Sequence, residues 1–184
     1  MRLPCVLVMV CLAGAARAQE RLSGSWQGYW TRAGDTMPVT MSVQYDANTG
    51  RYAATFAADR LRVAGIPFNE VRLEGCCEVR LLLRGDRTTI EFTGRLHGDS
   101  FSGVLTDSDG DGRFAYARVP AVTPLFDERD ITFSSGAVTL SGTLLLPFTG
   151  DSLPAVVFLH GSGAEGRWAS RFLAAKLAAG VSPP

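Results

Sequence analysis

The sequence predicts an all-β antiparallel N-terminal domain, a small barrel or sandwich, followed by a shorter segment of α/β character. Three observations predict it. Apolar and polar side chains alternate with a period of two from Gly24 to about Val119. Turn residues punctuate those runs at regular spacing. After residue 130 the pattern changes to a continuous apolar run, a glycine turn and a helical stripe.

Each element follows from that grammar. Val39, Met41, Val43 and Tyr45 alternate with Thr40, Ser42 and Gln44, and Val79, Leu81 and Leu83 with Arg80 and Arg84. Ile90 and Phe92 repeat the pattern, and Phe114 and Tyr116 close it. Alternation buries one face and wets the other, as in antiparallel strands. Asn48-Thr49-Gly50, Gly85-Asp86, His97-Gly98-Asp99 and Asp109-Gly110-Asp111-Gly112 supply the turns. The count is seven or eight short strands. Residues 120–129, with Pro120 and Pro124, read as a linker, because proline withholds a ladder donor. Beyond it, Asp130 to Phe133 and Val138 to Leu146 read as paired strands. Ala155 to Leu159 has no wet face and reads as a central strand covered on both sides. Trp168, Phe172, Leu173 and Leu177 then follow at helical spacing as a core-facing stripe, with Gly180 where a C-terminal cap belongs.

Residues 1–18 read as a secretory signal peptide: Arg2, an apolar run from Val6 to Gly14, and Ala16-Arg17-Ala18 before Gln19. That run is too short to span a bilayer, and Val10 is too bulky for Cys11 to be a lipidated residue. The expected location is therefore secreted or periplasmic, without membrane attachment after cleavage. Eighteen basic and eighteen acidic side chains cancel, which excludes a global field favouring nucleic acid or anionic membrane. Only Lys176 among the basic residues is lysine, a composition read as GC-rich bacterial codon usage.

The residues Leu140 to Pro147, then Pro154-Ala155-Val156-Val157-Phe158-Leu159 and His160-Gly161-Ser162-Gly163, resemble the start of α/β-hydrolases of the esterase and dienelactone-hydrolase type. Phe92 to Gly103 resembles the β-rich domain that leads some secreted members. The resemblance implies an oxyanion-hole turn at His160, Gly161, Ser162 and Gly163, with main-chain N–H groups aimed at a developing alkoxide. No serine here has glycine at both offsets of a G-x-S-x-G elbow, so no complete catalytic set is present. The reading over 130–184 is thus a truncated hydrolase start, inactive alone, from a parent acting on a small-molecule carboxylic ester. A peptidase parent fits the same turn. No cofactor and no metal are implied, and nothing specifies an oligomeric state.

The other candidates have blander readings. Asp107, Asp109 and Asp111 with Gly112 match half a calcium loop, but Arg118 stands where a bidentate Glu is required, which leaves an Asp-Gly hairpin turn. Cys76 and Cys77 are adjacent and read as small hydrophobes near a strand start, their side chains on opposite faces. His97 reads as a solvated turn residue. Gly24-Ser25-Trp26 resembles the G-x-W opening of lipocalin-type barrels, so Trp26, Tyr29 and Trp30 either pack the core or line a ligand cavity. That cavity defines the rival expectation, a small-ligand-binding β-barrel module with a vestigial hydrolase-like tail.

Overall fold

The computed structural model describes residues 20–85, 88–148, 152–161 and 166–180. Its regular structure is almost entirely antiparallel β. Nine strands form one sheet: β1 (Gly24–Arg32), β2 (Asp35–Asp46), β3 (Arg51–Ala58), β4 (Val63–Pro67), β5 (Glu70–Glu74), β6 (Glu78–Arg84), β7 (Thr89–His97), β8 (Ser100–Asp107) and β9 (Gly110–Val119). The spatial order is β4-β3-β2-β1-β9-β8-β7-β6-β5. Neighbouring strands are consecutive in sequence except at one place, where β1 pairs with β9 through Ser25↔Val119 to Thr31↔Arg113. The described residues divide into two compact units, one holding residues up to 56 and 67–121, the other 57–66 and 122 onwards.

In the first unit the sheet has to roll up. In a flat sheet β3 and β6 would lie roughly 29 Å apart, given about 4.8 Å between neighbours. Yet the consecutive residues Phe68 and Asn69 donate to Ala54 O of β3 and Leu82 O of β6, at 2.9 and 2.8 Å. Neighbouring Cα atoms are only about 3.8 Å apart, so one sheet end must curl round to meet the other. The result is barrel-like, in keeping with the barrel alternative of the sequence.

Its interior is filled by the alternating residues. Trp26, Val39, Met41, Val43, Val79, Leu81, Phe92, Phe101, Leu105, Phe114 and Tyr116 are all buried. Gly94 and Gly103 sit opposite each other on β7 and β8 and leave a gap in the inward layer. The Phe114 ring fills it, its Cζ 2.8 Å from where a Gly94 Cβ would stand. The alternating runs quoted from the sequence fall on β2, β6, β7 and β9, and the sheet has nine strands where seven or eight are expected.

The second unit corrects the expectation for residues 130–184. β10 (Phe126–Ser135) and β11 (Val138–Pro147) form an antiparallel hairpin, closed at Gly136, whose φ is 61°. One α-helix, α1 (Arg171–Gly180), packs on it. Arg171 makes a bidentate pair with Glu128 at 2.5 and 2.6 Å, and Arg167 reaches Asp130 at 3.0 Å. The run Ala155 to Leu159 is not a strand. Val156, Val157 and Leu159 are 64, 78 and 84% exposed. A continuous apolar run holds as a central strand only when ladder partners flank it, and among the described residues none does. The truncated α/β-hydrolase reading, as fold and as family resemblance, is overturned by this antiparallel architecture. The helical stripe is corrected with it: Trp168, Leu173 and Leu177 are exposed, and Ala178 is the buried residue of α1.

Candidate functional site

The expected oxyanion turn lies on the exposed segment after residue 152. His160 is exposed, and its Nδ1 lies 2.7 Å from the Gly161 carbonyl oxygen, so the ring folds onto its own turn. Gly161 is exposed as well, and Ser162 and Gly163 lie outside the described residues.

The tryptophans resolve the choice between core and cavity. Trp26 is fully buried, its Nε1–H donates to Leu22 O at 2.9 Å, and its ring meets Phe101 edge-on at 5.0 Å. Trp30 donates to Tyr116 Oη at 2.8 Å and contacts Phe56 and Phe92 at 5.1 and 5.0 Å. Burial pushes the Tyr116 phenol well above its ordinary value, with the Trp30 hydrogen bond a smaller opposing influence. Each indole N–H is satisfied inside packed rings, so the cavity foreseen beside Trp26 and Trp30 is occupied by aromatic side chains. Tyr29, on the other face of β1, is exposed. Arg118 closes this end: its guanidinium lies 4.2 Å from the Trp26 ring centroid, donates to Ser23 O and Arg21 O, and pairs with Asp99 at 2.8 Å. Spacing does not reveal that role, because two of the Arg118 partners are main-chain carbonyls nearly a hundred residues away.

A different concavity stands on the outer face of β5, β6 and β7. It is an open groove of about 260 Å³, lined by Glu70, Arg72, Glu74, Arg80, Leu82, Glu91 and Thr93, among others. Period-two alternation puts these residues outward while Val71, Leu81 and Phe92 point into the core. The register sets Arg72 opposite Arg80, and Arg80 opposite Thr93. Glu70 sits across from Leu82, and Leu82 across from Glu91. Arg80 bonds Glu78 at 2.8 Å and lies 3.5 Å from Glu74, while Arg72 pairs with Glu70. The Glu78 hydrogen bond, then the Glu74 and Glu78 charges, raise the Arg80 pKa and hold it as a cation. The groove thus offers both signs of charge within one strand spacing, beside the outward Leu82 and the Thr93 hydroxyl. Alternation alone places Arg80, Glu91 and Thr93 on a wet face and singles out none of Glu70, Arg72 and Glu74. Their cross-strand register was the missing information.

The remaining candidates take structural places. Asp107 pairs with Arg32 at 2.7 Å and accepts the Asp109 N–H at 2.8 Å, while Asp111 accepts from Thr106 at 2.8 Å. These carboxylates serve the β8–β9 hairpin, and no metal-binding cluster of three or more is found among the described residues. The Arg32 hydrogen bond, more than any other influence, holds the Asp107 carboxyl below the usual carboxylate range. His97 ends β7, exposed, and its carbonyl accepts from Ser100 Oγ at 3.1 Å. Cys76 and Cys77 sit in the β5–β6 turn rather than on a strand, Cys76 exposed and Cys77 half-buried.

Comparisons with known proteins add little. No family model matches the chain. No curated protein matches it either. Among solved structures it is similar to a redesigned β barrel, at 19% identity and a TM-score of 0.42, over 56% of this chain and 96% of that one.

Proposed function

We propose that the β1–β9 sheet is a binding module for a small ligand carrying both a cationic and an anionic group, such as a free amino acid or short peptide. The carrying observation is the outer groove, where Arg72 and Arg80 stand beside Glu70, Glu74 and Glu91 around Leu82. At about 260 Å³ the groove is small for a ligand pocket, which favours a compact ligand. A carboxylate meets the Arg80 guanidinium through charge-assisted bonds, and an ammonium group meets Glu74 or Glu91. The packed interior argues against an apolar ligand inside the barrel. The leader-like residues 1–18 favour an exported module, secreted or periplasmic.

Titrating zwitterionic amino acids and dipeptides into labelled protein, with amide shifts as readout, tests this. Saturable shifts at Arg80 and Thr93 are expected, weakened about tenfold by Arg80→Gln and by high salt. Absence of saturation up to ~10 mM, a range in which even millimolar affinity registers, overturns the proposal. Saturable tryptophan quenching by apolar ligands would return the site to the interior.

A further inference from the structure

We propose that Cys76 and Cys77 form a dithiol clamp for a thiophilic trivalent centre, of which an organic arsenoxide is the simplest representative. The argument starts from the turn. Had the pair lain on a strand, alternation would send the two side chains to opposite faces. They lie instead in the turn between β5 and β6, which Gly75 enters at φ 58°. A turn imposes no such alternation, so the two neighbouring thiols are free to share one side of the chain.

The main chain beneath them is pinned on both sides. Arg21 Nη1 donates to the Cys76 carbonyl at 3.1 Å, and the Leu96 N–H donates to the Cys77 carbonyl at 2.7 Å. The turn backbone that carries both thiols is therefore fixed by the fold, and Cys76 stays within reach of solvent. Hydrogen bonding to Cys76, then burial, keeps the Cys77 proton on sulfur, while the charges of Arg21 and Arg95 act in the opposite direction. Those two cations offset the negative charge that develops on sulfur as a proton leaves.

Geometry selects the ligand. Adjacent Cα atoms lie about 3.8 Å apart, short of the roughly 4.4–6.8 Å of ordinary disulfides, so a direct S–S bond is strained. One bridging atom enlarges the ring and removes that conflict. Soft thiolate ligands suit soft centres, and a compact turn with two sulfurs suits a centre that needs two bonds. The step balances: R–As=O and two S–H groups give R–As(S)₂ and one water. Both As–S bonds form, both thiol protons leave on the arsenoxide oxygen, and no oxidation state changes.

The test uses phenylarsine oxide on the chain carrying Cys5→Ser and Cys11→Ser, so that only the pair reacts. Intact mass should show one arsenical per chain. The adduct should survive excess monothiol and be stripped by a small dithiol. Cys76→Ser, at an exposed position that leaves folding intact, should bind at least about 100-fold more weakly, because the second bond becomes intermolecular. Two arsenicals per chain, or equal retention by the Cys76→Ser variant in the presence of monothiol, overturns the proposal. Neither outcome bears on the groove, since the two sites share no proposed ligand contact.

Discussion

Asp107 shows how one side chain can hold a hairpin. Its carboxylate is nearly inaccessible, with a side-chain exposure of 4%, and it bonds the Arg32 guanidinium and the Asp109 N–H together. Because its folded pKa lies below the unfolded value of about 3.9, the unfolded chain binds the proton first as pH falls. The contribution is therefore complete above about pH 4 and disappears as pH drops through the folded pKa. Thermal melts from pH 7 to pH 2 should show a steeper acid loss for the native chain than for Asp107→Asn. Parallel curves would show that Arg32 gains nothing from the ionised carboxylate. Spacing places Asp107 at an Asp-Gly hairpin turn, with half a calcium loop as the weaker reading, and it does stand at the β8–β9 hairpin. Spacing could not show Arg32, which reaches the carboxylate from β1 across the sheet.

At the scale of elements, what was legible was the period. Val39, Met41, Val43, Val79, Leu81 and Phe92 were read as inward and are inward. The glycines were not legible, because their significance lies in what crosses them. A Cβ on Gly103 would be driven into the Thr93 carbonyl oxygen and the Gly94 Cα, both main-chain atoms that cannot yield. Gly103→Ala should lower the unfolding free energy by about 1–3 kcal/mol, measured by urea denaturation. An unchanged midpoint would mean that β7 and β8 separate there without cost. The same limit applies to Ala155–Leu159. An apolar run states that burial is favourable, whereas the ladder partners that make a strand belong to other parts of the chain. The candidate groove was illegible for a related reason: Arg72, Arg80 and Glu91 are unremarkable singly and become a site only in register.

On the scale of the whole molecule, stability is unevenly distributed. The β1–β9 sheet holds an aromatic core, while residues 153–161 have no regular structure and carry Val156, Val157, Phe158 and Leu159 exposed. Segments with few buried contacts open at low free-energy cost. Brief chymotrypsin treatment should cut after Phe158 or Leu159 before any site within β1–β9. Earlier cleavage inside the sheet would contradict the packing described. A two-stranded hairpin is marginal by itself, and α1 is tied to it by the Arg171–Glu128 pair, with Arg167–Asp130 just ahead of the helix.

The pairing of β1 with β9 has a kinetic corollary. The first strand synthesised cannot acquire its second neighbour until the last strand of the sheet exists, so much of the ladder waits on contacts distant along the chain. Such topologies fold in roughly milliseconds to seconds rather than microseconds. During that interval β1 presents an unzipped margin bearing Trp26 and Trp30, a period of vulnerability that a chaperone, or passage across a membrane before collapse, would shorten.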